Sequence, residues 1–173
     1  MKLKKVRKLK KKLKRLQRQV SRKYEMNKLE TKFIKTSNII KLEKKIKLIH
    51  RKLSNIRQNH IHQATNKIIK LRPIRIVMED LNISGMMKNK HLSKAIAEQK
   101  FYEFIRQMKY KCEFNGIGFV QADRFFPSSK KCSKCGEIKK DLKLSDRVYK
   151  CICGLEIDRD KNASINLGEY KLV

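Results

Sequence analysis

The sequence predicts an α/β protein in which a basic helical hairpin precedes alternating strands and helices, with a small four-cysteine metal site inserted among them. Three observations predict it. Apolar residues recur at steps of three and four through two stretches of the first 71 residues. After Pro73, short β-branched runs alternate with amphipathic ones. Between Pro127 and Gly154, turn residues and lysines surround two tight cysteine pairs. A chain of 173 residues with a hydrophobic content of 40% supports one modest core.

The first helix is drawn by Leu3, Val6, Leu9, Leu13, Leu16 and Val20, with Lys and Arg on nearly every other face. A second runs from about Asn38 to Leu71 on Ile39, Leu42, Ile46, Ile49, Leu53, Ile56 and His60, and the two form an antiparallel pair joined through Glu25 to Phe33. Pro73 stops the second helix, and Ile74 to Met78 read as a buried strand closing on Glu79 and Asp80. Gly85 to about Lys90 reads as a loop. Ile96, Phe101, Phe104, Ile105, Met108 and Cys112 mark one amphipathic helix from about Leu92, stopped by Asn115-Gly116. Ile117 to Ala122 is a second strand. A last helix starts near Asp160 and turns Ala163, Ile165, Asn166 and Leu167 toward the sheet. The boundaries are 1–72 for the basic helices, 73–126 for the first α/β part, 127–156 for the metal insert and 157–173 for the last helix.

Charge is the strongest compositional signal. Residues 1–73 hold 26 of the 46 Lys and Arg and 3 of the 16 Asp and Glu, which is +23 of the formal +30. Such a segment repels itself until a polyanion neutralises it, so the expected partner is DNA or RNA. No unbroken apolar run is long enough for a signal peptide or a membrane span. The expectation is a cytoplasmic protein with no membrane partner, whose cysteines stay reduced.

Cys132-x-x-Cys135 and, after fifteen intervening residues, Cys151-x-Cys153 approximate the spacing of a two-knuckle zinc ribbon. Thiolates suit Zn²⁺, which takes four sulfurs tetrahedrally, and a filled shell makes the ion structural rather than catalytic. The single residue inside the second pair makes its turn tighter than the usual two. Gly136 and Gly154 each follow the second cysteine of a pair, where the backbone must turn back with positive φ. Cys112, on an apolar helix face, reads as a core thiol.

The string Met78-Glu79-Asp80-Leu81-Asn82, the block from Pro127-Ser128-Ser129-Lys130 through Cys135-Gly136, and Asp158-Arg159-Asp160-Lys161-Asn162-Ala163 resemble, in order and spacing, the TnpB (OrfB) family of transposon-encoded nucleases. Leu16 to Lys23 and Arg57 to His62 resemble that family's segment ahead of its second catalytic motif. The resemblance implies a RuvC-like, RNase H-type domain with an inserted zinc ribbon, similar to the nuclease domain of type V CRISPR effectors. It also implies RNA-guided DNA cleavage in transposition, with guide RNA and DNA as partners. On this resemblance Glu79 and Asp160 are catalytic carboxylates holding Mg²⁺ or Mn²⁺, where paired ions activate water and stabilise the leaving 3′ oxygen. Asp158 supports that loop, and Arg18, Arg22, Lys23, Arg124, Ser128, Ser129 and Lys130 contact nucleic acid.

The family's first motif, a Gly-Ile-Asp-x-Gly strand, has no counterpart here. No Asp precedes Asp80, and residues 1–73 offer only Glu25, Glu30 and Glu43. The expectation is therefore a partial RuvC-like domain, the C-terminal portion of such a nuclease in a truncated and inactive copy, unless an upstream fragment supplies the missing carboxylate. The alternatives are a non-catalytic zinc-ribbon protein that binds DNA or RNA, and a helical interaction protein that uses the stripe of residues 39–60.

Overall fold

The computed structural model describes residues 3–143 and 145–170. The Leu3 side chain and residues 1, 2, 144 and 171–173, which the boundaries above include, lie outside that description. The chain forms two compact units that divide between Ala64 and Thr65.

In the first unit α1 spans Leu3–Met26 and α2 spans Ser37–Lys70, its residues up to Ala64 belonging here. Neither helix has an acidic residue in its first turn, so packing rather than end charge sustains them. Leu16, Ile49 and Leu53 are buried together, flanked by Val6, Leu9, Leu13, Leu42 and Ile46. The senses are opposite, because Leu16 meets Ile49 and Leu53 while Tyr24, further along α1, meets Glu43, further back along α2. The connection carries a small antiparallel ribbon in which β1 (Lys28–Leu29) pairs with β2 (Lys32–Phe33) around Glu30 at φ +49°. Tyr24 packs edge-on against Phe33 at 5.8 Å. The stripe of α2 departs from the expected one at its end: His60 is exposed and Ile61 is buried, since a 3.6-residue period drifts off a strict heptad.

The second unit begins in the last turns of α2 and continues through β3 (Arg75–Glu79), α3 (Ile83–Met87), α4 (Ser93–Gln99), α5 (Phe101–Phe114), β4 (Gly118–Ala122), β5 (Val148–Lys150), β6 (Glu156–Asp158) and α6 (Arg159–Gly168). Strands β3 and β4 are parallel, in register from Arg75 opposite Gly118 to Glu79 opposite Ala122. Their crossover carries α3 to α5, as parallel pairing demands. The core gathers Ile69, Met108, Cys112 and Ile117, with Ile68, Ile76, Met78, Phe104 and Phe119 around them. Cys112 is thus a core thiol, and burial raises its pKa. A polar seam borders this core: Lys111 Nζ donates to Thr65 Oγ1 and Asn66 Oδ1, each at 2.7 Å, and burial lowers its pKa.

Four expectations need correction. The strand expected to be buried is half-buried, with Ile74 94% exposed just before it, because among the described residues β3 pairs on one side only. The expected loop at Gly85 contains α3, whose start is capped by the Asn82 side chain accepting from Gly85 N at 2.9 Å. The single helix from Leu92 breaks into α4 and α5 at Lys100, φ +53°. The step of five from Ile96 to Phe101 cannot stay on one helical face, and the break absorbs it. On α6 the buried residues are Asn162 and Asn166, while Ile165 is exposed. No described helix is long and apolar enough to cross a membrane.

Candidate metal centre and carboxylate edge

The cysteine site is built on two backbone turns. In the first, Gly136 N donates to Cys132 O at 3.0 Å and Cys132 N to Glu137 O at 2.8 Å. In the second, Gly154 N donates to Cys151 O at 3.0 Å and Cys151 N to Leu155 O at 2.9 Å, so the tighter Cys-x-Cys spacing still closes a turn. Gly136 (φ +80°) and Gly154 (φ +84°) hold the left-handed conformation anticipated for them. Strands β5 and β6 pair antiparallel on either side of the second turn. Tyr149, fully buried between the turns, donates to Lys130 O at 3.0 Å and Glu137 O at 3.4 Å.

The turns face each other. Cys132 Sγ lies 3.7 Å from Cys153 Sγ and Cys135 Sγ 3.5 Å from Cys151 Sγ, and all four sulfurs fall within 4.8 Å of one another. A ZnS₄ tetrahedron with bonds of about 2.3 Å has edges of about 3.8 Å, so these residues fit a tetrahedral thiophilic ion. Disulfides are excluded, since they need about 2.05 Å. Among the described residues no other group of three or more such side chains gathers. The thiols are electrostatically uneven. Burial opposes ionisation of Cys132, but the backbone N–H groups of Cys135 and Lys134 and the thiols of Cys135 and Cys151 bring its pKa down to about 6. The Glu137 N–H favours the Cys135 thiolate, yet burial and the three neighbouring sulfurs push that thiol up to about 12. One thiolate forms readily and the next resists, a strain that a divalent cation relieves.

The carboxylates sit on elements flanking this insert. Glu79 ends β3, exposed, and accepts from Ser128 Oγ at 2.6 Å. Asp160 opens α6, 74% exposed, with Arg159 Nη2 at 3.2 Å. Asp158 caps that helix, its Oδ1 accepting from Asp160 N at 3.0 Å and Lys161 N at 2.9 Å. Helix α6 packs on β3, and Arg75 Nη2 donates to Gly168 O at 2.7 Å.

Of the residues expected to meet nucleic acid, Arg124 donates to Asp80 Oδ2 through Nη2 at 2.6 Å and Nε at 3.0 Å. Ser128 is buried, with its hydroxyl on Glu79. Lys130 Nζ reaches Lys140 O at 3.2 Å, and Ser129 is half-buried. Arg18 and Arg22 are exposed on α1 and Lys23 is half-buried. A cleft of about 460 Å³ between α1 and α2 is rimmed by Lys12, Arg15, Lys45 and Lys52 over Leu16, Leu42, Leu48 and Ile49. Sequence reasoning missed the side chains that fasten the loop after Pro127. Asn162 Nδ2 and Asn166 Nδ2 both donate to Lys131 O at 2.7 Å, Asn166 Nδ2 also to Ser128 O at 2.8 Å, and Ser133 N donates to Asn162 Oδ1 at 3.0 Å. Their spacing of four on one helical face was the available signal.

The family described as Cas12f1-like, TNB domain matches residues 101–167, which run from α5 through β4 and the four-cysteine insert to α6. A protein of Streptomyces pristinaespiralis and, under the added name InsQ, one of Escherichia coli (strain K12) are each called "Putative RNA-guided DNA endonuclease". They are 33% and 32% identical over 76% and 91% of this chain, which covers 33% and 40% of theirs. TnpB-like protein L79 of Acanthamoeba polyphaga mimivirus is 26% identical over 73% of the chain and 25% of its own length. A cryo-EM structure of a Cas12f1–sgRNA–target DNA complex shares the fold, with a TM-score of 0.58 and 20% identity, over 84% of this chain and 45% of that one. The chain is similar to these TnpB-type proteins over most of its length. It spans 25–40% of the length of these curated relatives.

Proposed function

We propose that residues 1–173 form the zinc-ribbon and carboxylate-bearing part of an RNA-guided DNA endonuclease of the TnpB type. The observation that carries this reading is the placement of the cysteine site between two elements that pack together, β3 and α6, whose ends carry Glu79 and Asp160. Glu79 and Asp160 offer hard oxygen ligands suited to Mg²⁺ or Mn²⁺, ions that activate water and stabilise a leaving 3′ oxygen. In this reading the second unit is the RuvC-like part, with Zn²⁺ on Cys132, Cys135, Cys151 and Cys153 keeping the insert folded. The first unit offers its exposed Lys and Arg to guide RNA and DNA phosphates. Two-ion cleavage also needs a carboxylate beyond Glu79 and Asp160, supplied from outside residues 1–173.

The test is cleavage of RNA-targeted DNA in Mg²⁺ by the longer protein that contains this segment. Glu79→Ala and Asp160→Ala each reduce cleavage by about 10³-fold or more while leaving zinc content at one per chain. Unchanged cleavage in both variants refutes the assignment. A second reading, binding without cleavage, is favoured by the +23 charge of residues 1–73. It predicts RNA or DNA binding by residues 1–173 that Glu79→Ala leaves unaltered, with no metal-dependent cleavage even when the remaining carboxylate is supplied.

A further inference from the structure

We propose that Asn162 and Asn166 couple occupancy of the four-cysteine site to the placement of Glu79, so that the zinc knuckle positions a carboxylate it never touches. The functional weight of this coupling rests on the reading of Glu79 above; its physical basis does not.

The path is continuous and short. Asn162 grips the backbone on both sides of Cys132, donating to Lys131 O at 2.7 Å and accepting from Ser133 N at 3.0 Å. One helical turn on, Asn166 donates to the same Lys131 O and to Ser128 O. Between these anchors the chain turns on itself, with Lys130 N and Lys131 N both donating to Pro127 O at 3.0 and 2.9 Å. Ser128, thus held, donates its hydroxyl to Glu79 Oε1 at 2.6 Å. Asn162, Asn166 and Ser128 are 0%, 3% and 5% exposed, so water cannot readily substitute for these bonds. Asn166 Oδ1 is buried without a partner, so its amide serves this loop alone.

The two-state element is the turn of residues 127–133. With the ion in place, Cys132 is fixed and both asparagines find their carbonyls in position. Without it, no ion ties Cys132 to the other three cysteines, and Lys131 and Ser133, its covalent neighbours, move with it. The Asn166 bonds then weaken and Ser128 releases Glu79. Coupling of this kind is reciprocal, so a change at Ser128 must also alter how firmly zinc is held. Asn162, Asn166 and Ser128 are positioning residues on this account.

The test uses the zinc-loaded chain labelled with ¹³C at glutamate carboxyls and methionine methyls, the Glu79 signal being assigned with Glu79→Gln. Ser128→Ala shifts that signal. Chelating zinc from the wild-type protein shifts it in the same direction while the Met108 methyl stays at its native position, and chelation of Ser128→Ala adds no further shift. Asn166→Ala reproduces the shift with zinc still bound and speeds zinc release to excess chelator by about 5- to 30-fold, the factor that one or two lost hydrogen bonds represent. Should Asn166→Ala fail to fold, Asn162→Ser and the wild-type chelation carry the same prediction, and Ser145→Ala, at an exposed turn, is the silent control. A Glu79 signal unmoved by chelation overturns the proposal, as does loss of the Met108 signal along with it, which is general unfolding. Cleavage separates the two readings: cleavage left unchanged by Glu79→Ala, once the remaining carboxylate is supplied, removes the metal role of Glu79 and leaves the coupling standing.

Discussion

Tyr149 shows how much a single buried polar side chain carries in so small an insert. Its hydroxyl bridges Lys130 O and Glu137 O across the first turn, and removing it leaves each carbonyl with its backbone donor alone, Lys139 N and Cys132 N. Tyr149→Phe is expected to lower the urea-unfolding free energy of the zinc-loaded protein by about 1 kcal/mol. Burial, followed by the charges of the four cysteines, pushes the phenol up to about 12. An unfolded tyrosine ionises near 10, so the folded state holds the extra proton between those values and stability falls as pH rises from about 10 to 12. That portion of the alkaline loss is absent from Tyr149→Phe in melts across the range. Asn166→Asp sets a carboxylate against Ser128 O and Lys131 O in a buried site and destabilises by more than Asn166→Ala, which costs about 1–3 kcal/mol by the same assay. At this scale the cysteines and their glycines were legible because thiol pairs admit few roles. Asn162, Asn166 and Ser128 were not, since a polar residue reads as surface until its partners are known, and those partners lie 29 to 49 positions away.

Among the elements, α4 and α5 give a test whose sign decides between two readings. In one continuous helix, as the sequence suggested, Lys100→Gly costs about 1 kcal/mol. With Lys100 at φ +53° the same change relieves left-handed strain of about 1–2 kcal/mol, against an entropic cost of about 0.5–1 kcal/mol. A melting temperature raised or unchanged is therefore expected. The hairpin of α1 and α2 was legible because six apolar positions in each helix, at steps of three and four, outweigh local detail. Its ribbon of β1 and β2 was hidden, two-residue strands having no periodicity to read. There Tyr24 and then Lys35, both donating to Glu43, hold that carboxyl below its usual pKa. The stability they add is complete above the ordinary glutamate value near 4.3 and is lost as pH falls through the lower folded value. Tyr24→Phe is expected to flatten this acid limb in urea melts between pH 5 and 2, which circular dichroism of α1 and α2 reports.

Across the molecule, charge was legible and division was not. The sequence placed its boundary at Pro73, where the basic run ends, but the compact units divide between Ala64 and Thr65, inside α2. A helix that serves two cores has no proline or glycine to mark the change, and Leu53 and Ile69 join different clusters from one uninterrupted α2. If 6 to 10 of the cations meet phosphates, affinity for RNA or DNA falls by about 10³ to 10⁵ between 50 and 200 mM salt, and a flat titration would refute polyanion binding.

The 36 residues between β4 and α6 also bear on the order in which the chain assembles. Clamping Cys132 to Cys153 more than halves the flexible excursion that α6 must close to reach β3, yet loop-closure entropy changes by only about 0.6 kcal/mol per twofold change in length. The metal's advantage is then chiefly temporal. The turns at Cys132 and Cys151 are local and close early, whereas docking of α6 on β3 joins residues more than 80 positions apart and is intrinsically slow. A ribosome releasing this chain exposes all four cysteines before Asp160, so zinc can be captured while the last helix is still being made.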